Sequence, residues 1–82
     1  MFIVISYDIT DDRRRAKVFE ELKDYGTWVQ YSVFECNLTP DQIKRVQTTI
    51  AGLIHPREDS VRYYYLCQSC LAKCQVQGVT SR

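Results

Sequence analysis

Apolar and polar residues fall into successive blocks along the chain, and each block predicts an element. Phe2-Ile3-Val4-Ile5, followed by Ser6, Tyr7 and Asp8, reads as a strand over 2–8 that is apolar on both faces. Such a strand belongs at the covered centre of a sheet. Thr10, Asp11 and Asp12 are helix-start residues, and their carboxylates suit the positive end of the helix dipole. Val18, Phe19, Leu22 and Tyr25 then share one face of a helix running to about Asp24, with Gly26 as its C-cap. From Thr27 to Leu38 the β-formers Trp28, Val29, Tyr31, Val33 and Phe34 dominate. That stretch fits one long strand or a tight hairpin turning near Tyr31-Ser32.

Thr39-Pro40-Asp41-Gln42 is a helix start with a capping threonine, a first-turn proline and the glutamine of a capping box. Ile43, Val46, Ile50, Leu53 and Ile54 give it an apolar stripe, and His55-Pro56 ends it. A polar loop over 57–60 leads to a strand from Ser60 to Cys67, again largely apolar on both faces. Gln68 to Arg82 reads as a helical turn, a short strand near Gln75–Gln77 and a frayed end over 79–82. The order is that of the ferredoxin-like βαββαβ arrangement. It is an α+β fold: a four-stranded antiparallel sheet with both helices on one face, plus the short C-terminal strand. Tyr63, Tyr65 and Val33 are expected on the other face, where nothing in the chain covers them. An uncovered apolar sheet face calls for a partner, so a homodimer packed through it is expected, with the C-terminal strand extending the neighbour's sheet.

Composition narrows the class. Eighty-two residues make one domain over 1–82, and a chain of that size buries only roughly 60–65% of its unfolded surface. That favours a second subunit. The apolar content of 45% supports a folded core, while the net charge of +1 gives no global argument for nucleic-acid binding, which must rest on local clusters. No apolar run approaches the ~20 residues of a membrane span. The Met1 segment lacks the basic start and small-residue cleavage site of a signal peptide, so the expected location is cytoplasmic. There the four cysteines, Cys36, Cys67, Cys70 and Cys74, are expected as reduced thiols. Cys67-x2-Cys70-x3-Cys74 also reads as a fragment of a metal-cluster site. The second Cys-x-x-Cys pair is absent, and Cys36 and His55 are the only candidates for a fourth ligand.

Several residues carry chemistry with two readings each. Asp8, at the carboxyl end of a buried strand, either holds Mg²⁺ beside substrate phosphates or caps the turn into the first helix. A two-fold dimer supplies a second Asp8. Arg13, Arg14 and Arg15 span about 300° of a helix and cannot all face one ligand. They form a solvated helix start or a phosphate contact placed against the dipole. Glu35 pairs with an arginine such as Arg62, or assists a metal. Trp28, Tyr63, Tyr64 and Tyr65 stack on bases or belong to core and interface. Ser6 has no histidine nearby to make it a nucleophile, and His55 fits a helix end.

Three motifs taken in order carry a resemblance. Tyr7-Asp8-Ile9 with Asp12-Arg13-Arg14-Arg15, then Gly26 with Val29-Gln30-Tyr31-Ser32-Val33-Phe34-Glu35, then Asp59-Ser60-Val61-Arg62-Tyr63-Tyr64-Tyr65-Leu66, resemble the small CRISPR-associated Cas-two family across nearly the whole chain. The resemblance favours the hairpin over one long strand. It implies a ferredoxin-like homodimer in CRISPR adaptation that bridges dimers of the Cas-one integrase, and a Mg²⁺-dependent endonuclease acting on RNA or DNA. Asp8 matches the family's proposed metal-binding, catalytic aspartate, contributed by both protomers. Arg14 and Arg15 match proposed nucleic-acid backbone contacts. Tyr7, Ser32 and Phe34 match supporting positions. The alternative it implies is a non-catalytic DNA-binding scaffold. The C-terminal cysteines lie outside the family pattern.

Overall fold

The computed structural model describes residues 1–78. Strand β1 (Phe2–Asp8) leads to helix α1 (Asp12–Leu22), the hairpin of β2 (Gly26–Gln30) and β3 (Val33–Asn37), helix α2 (Pro40–Leu53), strand β4 (Ser60–Leu66) and the short helix α3 (Gln68–Ala72). The sheet order is β2-β3-β1-β4, and every neighbouring pair is antiparallel. This is the expected ferredoxin-like topology. The apolar β1 takes a central place beside β3, as its two apolar faces require.

Local chemistry sets the helix starts. Asp11, not Asp8, caps α1: its Oδ2 accepts the Arg14 backbone N–H at 2.9 Å. Thr39 and Gln42 form the reciprocal capping box of α2, with bonds of 3.2 and 2.9 Å and Pro40 in the first turn. Helix α1 stops at Leu22, and Gly26 is therefore not its C-cap. Gly26 opens β2 opposite Cys36, where a Cβ would collide with the Cys36 Sγ and the Glu35 carbonyl oxygen. Close approach of two backbones, rather than a left-handed turn, demands glycine there.

Register decides what each face carries. Ile3, Ile5 and Tyr7 point to the helices and join Val18, Leu22, Phe34, Val46 and Ile50 in the core. Full burial of an isoleucine such as Ile3 or Ile5 is worth about 1.5–3 kcal/mol. Tyr63 pairs with Ile5 and Tyr65 with Ile3, so both lie on the helix-covered side. This corrects the expectation that they occupy the open face. Val61, Tyr63 and Tyr65 form one alternating set of β4, and Ser60, Arg62, Tyr64 and Leu66 the other, so the polar Ser60 and Arg62 mark the open face, and a one-residue slip would exchange the faces. The open face carries Phe2, Val4 and Ser6 from β1, flanked by Val33 and Glu35 on one side and by Arg62, Tyr64 and Leu66 on the other. Val33 is there as expected. Glu35 stands opposite Val4 and Arg62 opposite Ser6, with β1 between them, and they form no ion pair among the described residues.

The short strand expected near Gln75–Gln77 does not form within one chain. A strand needs a hydrogen-bonded neighbour, and 75–77 pair with none. The frayed end expected over 79–82 lies outside the described residues.

Candidate active site

Two concavities flank the carboxyl end of β1, and Tyr7 borders both. The first, about 180 Å³, opens on the uncovered sheet face between Ser6, Asp8, Ser60, Arg62 and Tyr64. Asp8 pairs with Ser60 across the β1–β4 ladder, and its side chain is exposed. Among the described residues the carboxylate enters no ion pair and accepts no hydrogen bond, so its oxygens face solvent unclaimed. Arg62 reaches toward the Tyr64 hydroxyl at 3.5 Å on the same wall.

The second concavity, about 490 Å³, lies on the helix side between α1 and the hairpin tip, with Tyr7, Arg15, Phe19, Tyr31 and Ser32 on its walls. Arg15 donates from Nη1 to the Ile9 carbonyl at 2.9 Å and pairs with Asp12, which aims its guanidinium along the end of β1. Ser32 sits in the turn, its carbonyl accepting the Tyr7 backbone N–H at 3.0 Å. Burial pushes the Tyr7 phenol up, and the Ser32 hydroxyl and Arg15 act against that rise. The phenol therefore stays protonated near neutrality. The turn itself is held by the Trp28 indole N–H, which donates to the Tyr31 carbonyl at 2.8 Å and supports Tyr31 at a φ of +43°.

Phe34 is fully buried, with ring centroids 6.4 Å from Tyr7 and 5.4 Å from Phe19. Phe19 in turn meets Trp28 edge-on at 5.9 Å. Phe34 therefore acts as packing beneath Tyr7, with no surface of its own to offer a ligand. Asp8, Tyr7, Arg15 and Ser32 gather at one end of the sheet, whereas Phe34 stays in the core.

Arg14 faces elsewhere. Its Nε donates to Asp59 Oδ2 at 2.8 Å and its Nη2 to Asp59 Oδ1 and Glu58 Oε1 at 3.3 and 3.2 Å. The Asp59 side chain is fully buried and also accepts the backbone N–H groups of Thr10 and His55. The Arg14 guanidinium, together with those backbone donors, holds the Asp59 carboxyl down at about 2. This ties the start of α1 to the loop before β4. The sequence marked Asp59 only as the first residue of the third motif, with no signal for its pairing with Arg14, 45 positions away. Arg13 is exposed.

A metal would find Asp8 as its donor here. Among the described residues of one chain, no three His, Cys, Asp or Glu side chains converge as a ligand set. A free, exposed carboxylate beside two serine hydroxyls suits a hydrated hard cation, which takes one or two carboxylates and keeps several waters. The cysteine fragment of α3 does not complete a cluster.

A four-stranded antiparallel sheet backed by two helices, with one unclaimed carboxylate and one oriented arginine at the end of its central strand, defines a small ferredoxin-like protein. The comparisons make this specific. The family model described as CRISPR associated protein Cas2 matches residues 1–74, and the chain belongs to that family. It is 43% identical over 79 residues to a protein of Synechocystis sp. named CRISPR-associated endoribonuclease Cas2 3, covering 95% of this chain and 86% of the relative. Streptococcus pyogenes Cas2 superposes with a TM-score of 0.84 at 29% identity, covering 95% of this chain and all of that one. A Cas2-like chain within a structure titled a partial Cas6-RT-Cas1–Cas2 complex gives a TM-score of 0.81 at 30% identity, covering 92% and 82%.

Proposed function

We propose that the chain is a CRISPR adaptation protein that works as a homodimer and hydrolyses phosphodiester bonds in RNA or DNA with Mg²⁺, Asp8 from each protomer holding the ion. The observation that carries this reading is the Asp8 carboxylate itself, exposed and unpaired at the end of the central strand. The endoribonuclease name of the Synechocystis relative supports the activity. Bound Mg²⁺ would supply a polarised phosphoryl group and a hydroxide nucleophile near neutral pH. The chain's own groups do the rest. Arg15, oriented by Ile9 and Asp12, meets backbone phosphate or developing negative charge. Tyr7 keeps its proton and, buried on the helix side, supports the end of β1 that carries Asp8, and Ser32 holds the hairpin tip against it.

One chain brings a single carboxylate to the site, so the site is complete only when the open sheet faces of two protomers meet. Arg15 is the backbone contact in this reading, and Arg14 serves it indirectly by fixing the start of α1 on Asp59. A second reading has its own support. The lone carboxylate per chain and the engaged Arg14 make for sparse catalytic machinery, and the structure titled with Cas1 and Cas2 places a similar chain in an assembly. In that reading the dimer binds DNA backbone without sequence readout and bridges Cas1 dimers during spacer integration.

Asp8→Asn separates the two. The variant is expected to melt with the wild type, because Asp8 stabilises nothing else in the chain, and to lose about 100-fold or more of Mg²⁺-dependent cleavage. Unchanged cleavage would remove Asp8 from the chemistry. Spacer integration assayed with Cas1 on the same variant reads the scaffold: lost cleavage with intact integration assigns adaptation to binding alone.

A further inference from the structure

The end of β4 runs directly into three thiols that the phosphate chemistry does not use. Cys67, Cys70 and Cys74 are exposed and free, in contrast to the buried Cys36. Cys67 is the residue before α3, with an extended backbone (φ −74°, ψ 170°) and no side-chain capping bond, and Cys70 lies in the first turn. We propose that Cys67 and Cys70 form a redox-active dithiol that exchanges with small-molecule disulfides, Cys67 attacking and Cys70 resolving.

Geometry selects this pair. Side chains three apart at a helix start have Cβ atoms about 5–6 Å apart, and a disulfide needs about 3.5–4.5 Å. Rotation at the extended, uncapped Cys67 closes that gap without breaking β4. Cys74 is engaged elsewhere, its Sγ donating to the Cys70 backbone carbonyl at 3.5 Å. The Cys67 Sγ lies 3.3 Å from the Ser69 hydroxyl. That hydroxyl, with the Cys70 N–H and thiol, brings Cys67 down to about 7, while Cys67 beside it pushes Cys70 up. An attacking thiol with its thiolate well populated near neutrality, next to a partner that keeps its proton, is the division of labour exchange requires. Room for the substrate is present: a concavity of about 250 Å³ opens beside Cys67, walled by Met1, Phe2, Asn37, Leu66 and Leu71.

The Cys67 thiolate attacks one sulfur of a disulfide RSSR, forming a Cys67–S–S–R bond and expelling RS⁻, which takes a proton from solvent. Cys70 then releases its proton to solvent and attacks the Cys67 sulfur, forming the Cys67–Cys70 bond and expelling the second RS⁻. Two protein thiols are oxidised and RSSR is reduced to two RSH. The product cross-links the end of β4 to the first turn of α3.

The full chain, folded and held in glutathione mixtures of graded oxidised fraction, tests this by intact mass and peptide mapping. The expected product is one molecule lighter by two hydrogens, its bond mapped to Cys67–Cys70, in the wild type and in Cys74→Ser. Cys70→Ser is expected to trap a glutathione adduct on Cys67, and Cys67→Ser to form neither. Iodoacetamide at pH 7 is expected to modify Cys67 about fivefold faster in the folded chain than in urea, the thiolate gain outweighing the lower intrinsic nucleophilicity. A bond between chains, a bond or adduct at Cys74 in place of Cys67, or a folded chain that forms the bond no more readily than the urea-unfolded chain overturns the proposal. Far-UV circular dichroism of each variant checks that the fold is kept.

Discussion

Asp59 is the one buried charged residue among the described residues. Its buried carboxylate meets a guanidinium and two backbone N–H groups, so every partner favours the ionised form. Because the folded carboxyl sits near 2 instead of 3.8, its contribution is fully present above about pH 4 and is lost as pH falls toward 2. Asp59→Asn removes the buried anion of Arg14 and leaves it only the exposed Glu58 carboxylate. Thermal melts followed by circular dichroism should show Tm lowered by about 10 °C at pH 7, and the difference from wild type should shrink as pH falls from 4 to 2. An equal loss at all pH values would mean that packing, not charge, is what the substitution removes. Cys36 illustrates the opposite case, since burial first and the Glu35 charge second push its thiol up to about 11 and leave it inert.

At the scale of elements, the β2–β3 hairpin does more than close the sheet. It bends through an irregularity between Trp28 and Gln30, turns at Tyr31-Ser32, and brings Ser32 against Tyr7. Its opening residue is the sensitive point. Gly26→Ala inserts a methyl group against the Glu35 carbonyl and the Cys36 sulfur, and the two strands must part to admit it. Overpacking of this kind costs about 2 kcal/mol, which a urea titration should register as a lower midpoint. Cleavage should fall with it, because the hairpin tip that positions Ser32 moves. A variant as stable as the wild type would show that the strands absorb the methyl group.

For the molecule as a whole, the open sheet face is the surface left for a second copy to cover. Phe2, Val4, Val33 and Leu66 are half-buried on it, and Tyr64 is 48% exposed. This apolar patch is interrupted by Glu35, Arg62 and Asp8. Two copies related by a two-fold axis would cover the patch and bring the Asp8 carboxylates to a shared site. Val33→Glu should leave the helical core intact, since Val33 faces away from it, and light scattering is expected to report two 9.7 kDa chains for the wild type and one for the variant. A wild type that stays monomeric at micromolar concentration would contradict this arrangement. No helix among the described residues is long and apolar enough to cross a membrane.

Much of this architecture was legible from neighbours along the chain. The capping box at Thr39-Gln42, the stripe of Ile43, Val46 and Ile50, and the two-faced β1 all depend on contacts within a few residues. Local composition determines such contacts, so the elements and their order could be read directly, and with them the end of the strand that carries Asp8. Other features depended on partners far apart in sequence. Burial of Asp59 beneath Arg14, the need for glycine at Gly26, and the turn of Tyr63 and Tyr65 toward the helices all follow from register and packing between distant segments. A period-two pattern that is apolar at both phases cannot say which phase faces the core. For β1 the packing of Ile5 between Phe34 and Tyr63 on the core side decides it, which leaves Asp8 and, opposite Ser6, Val33 on the uncovered face.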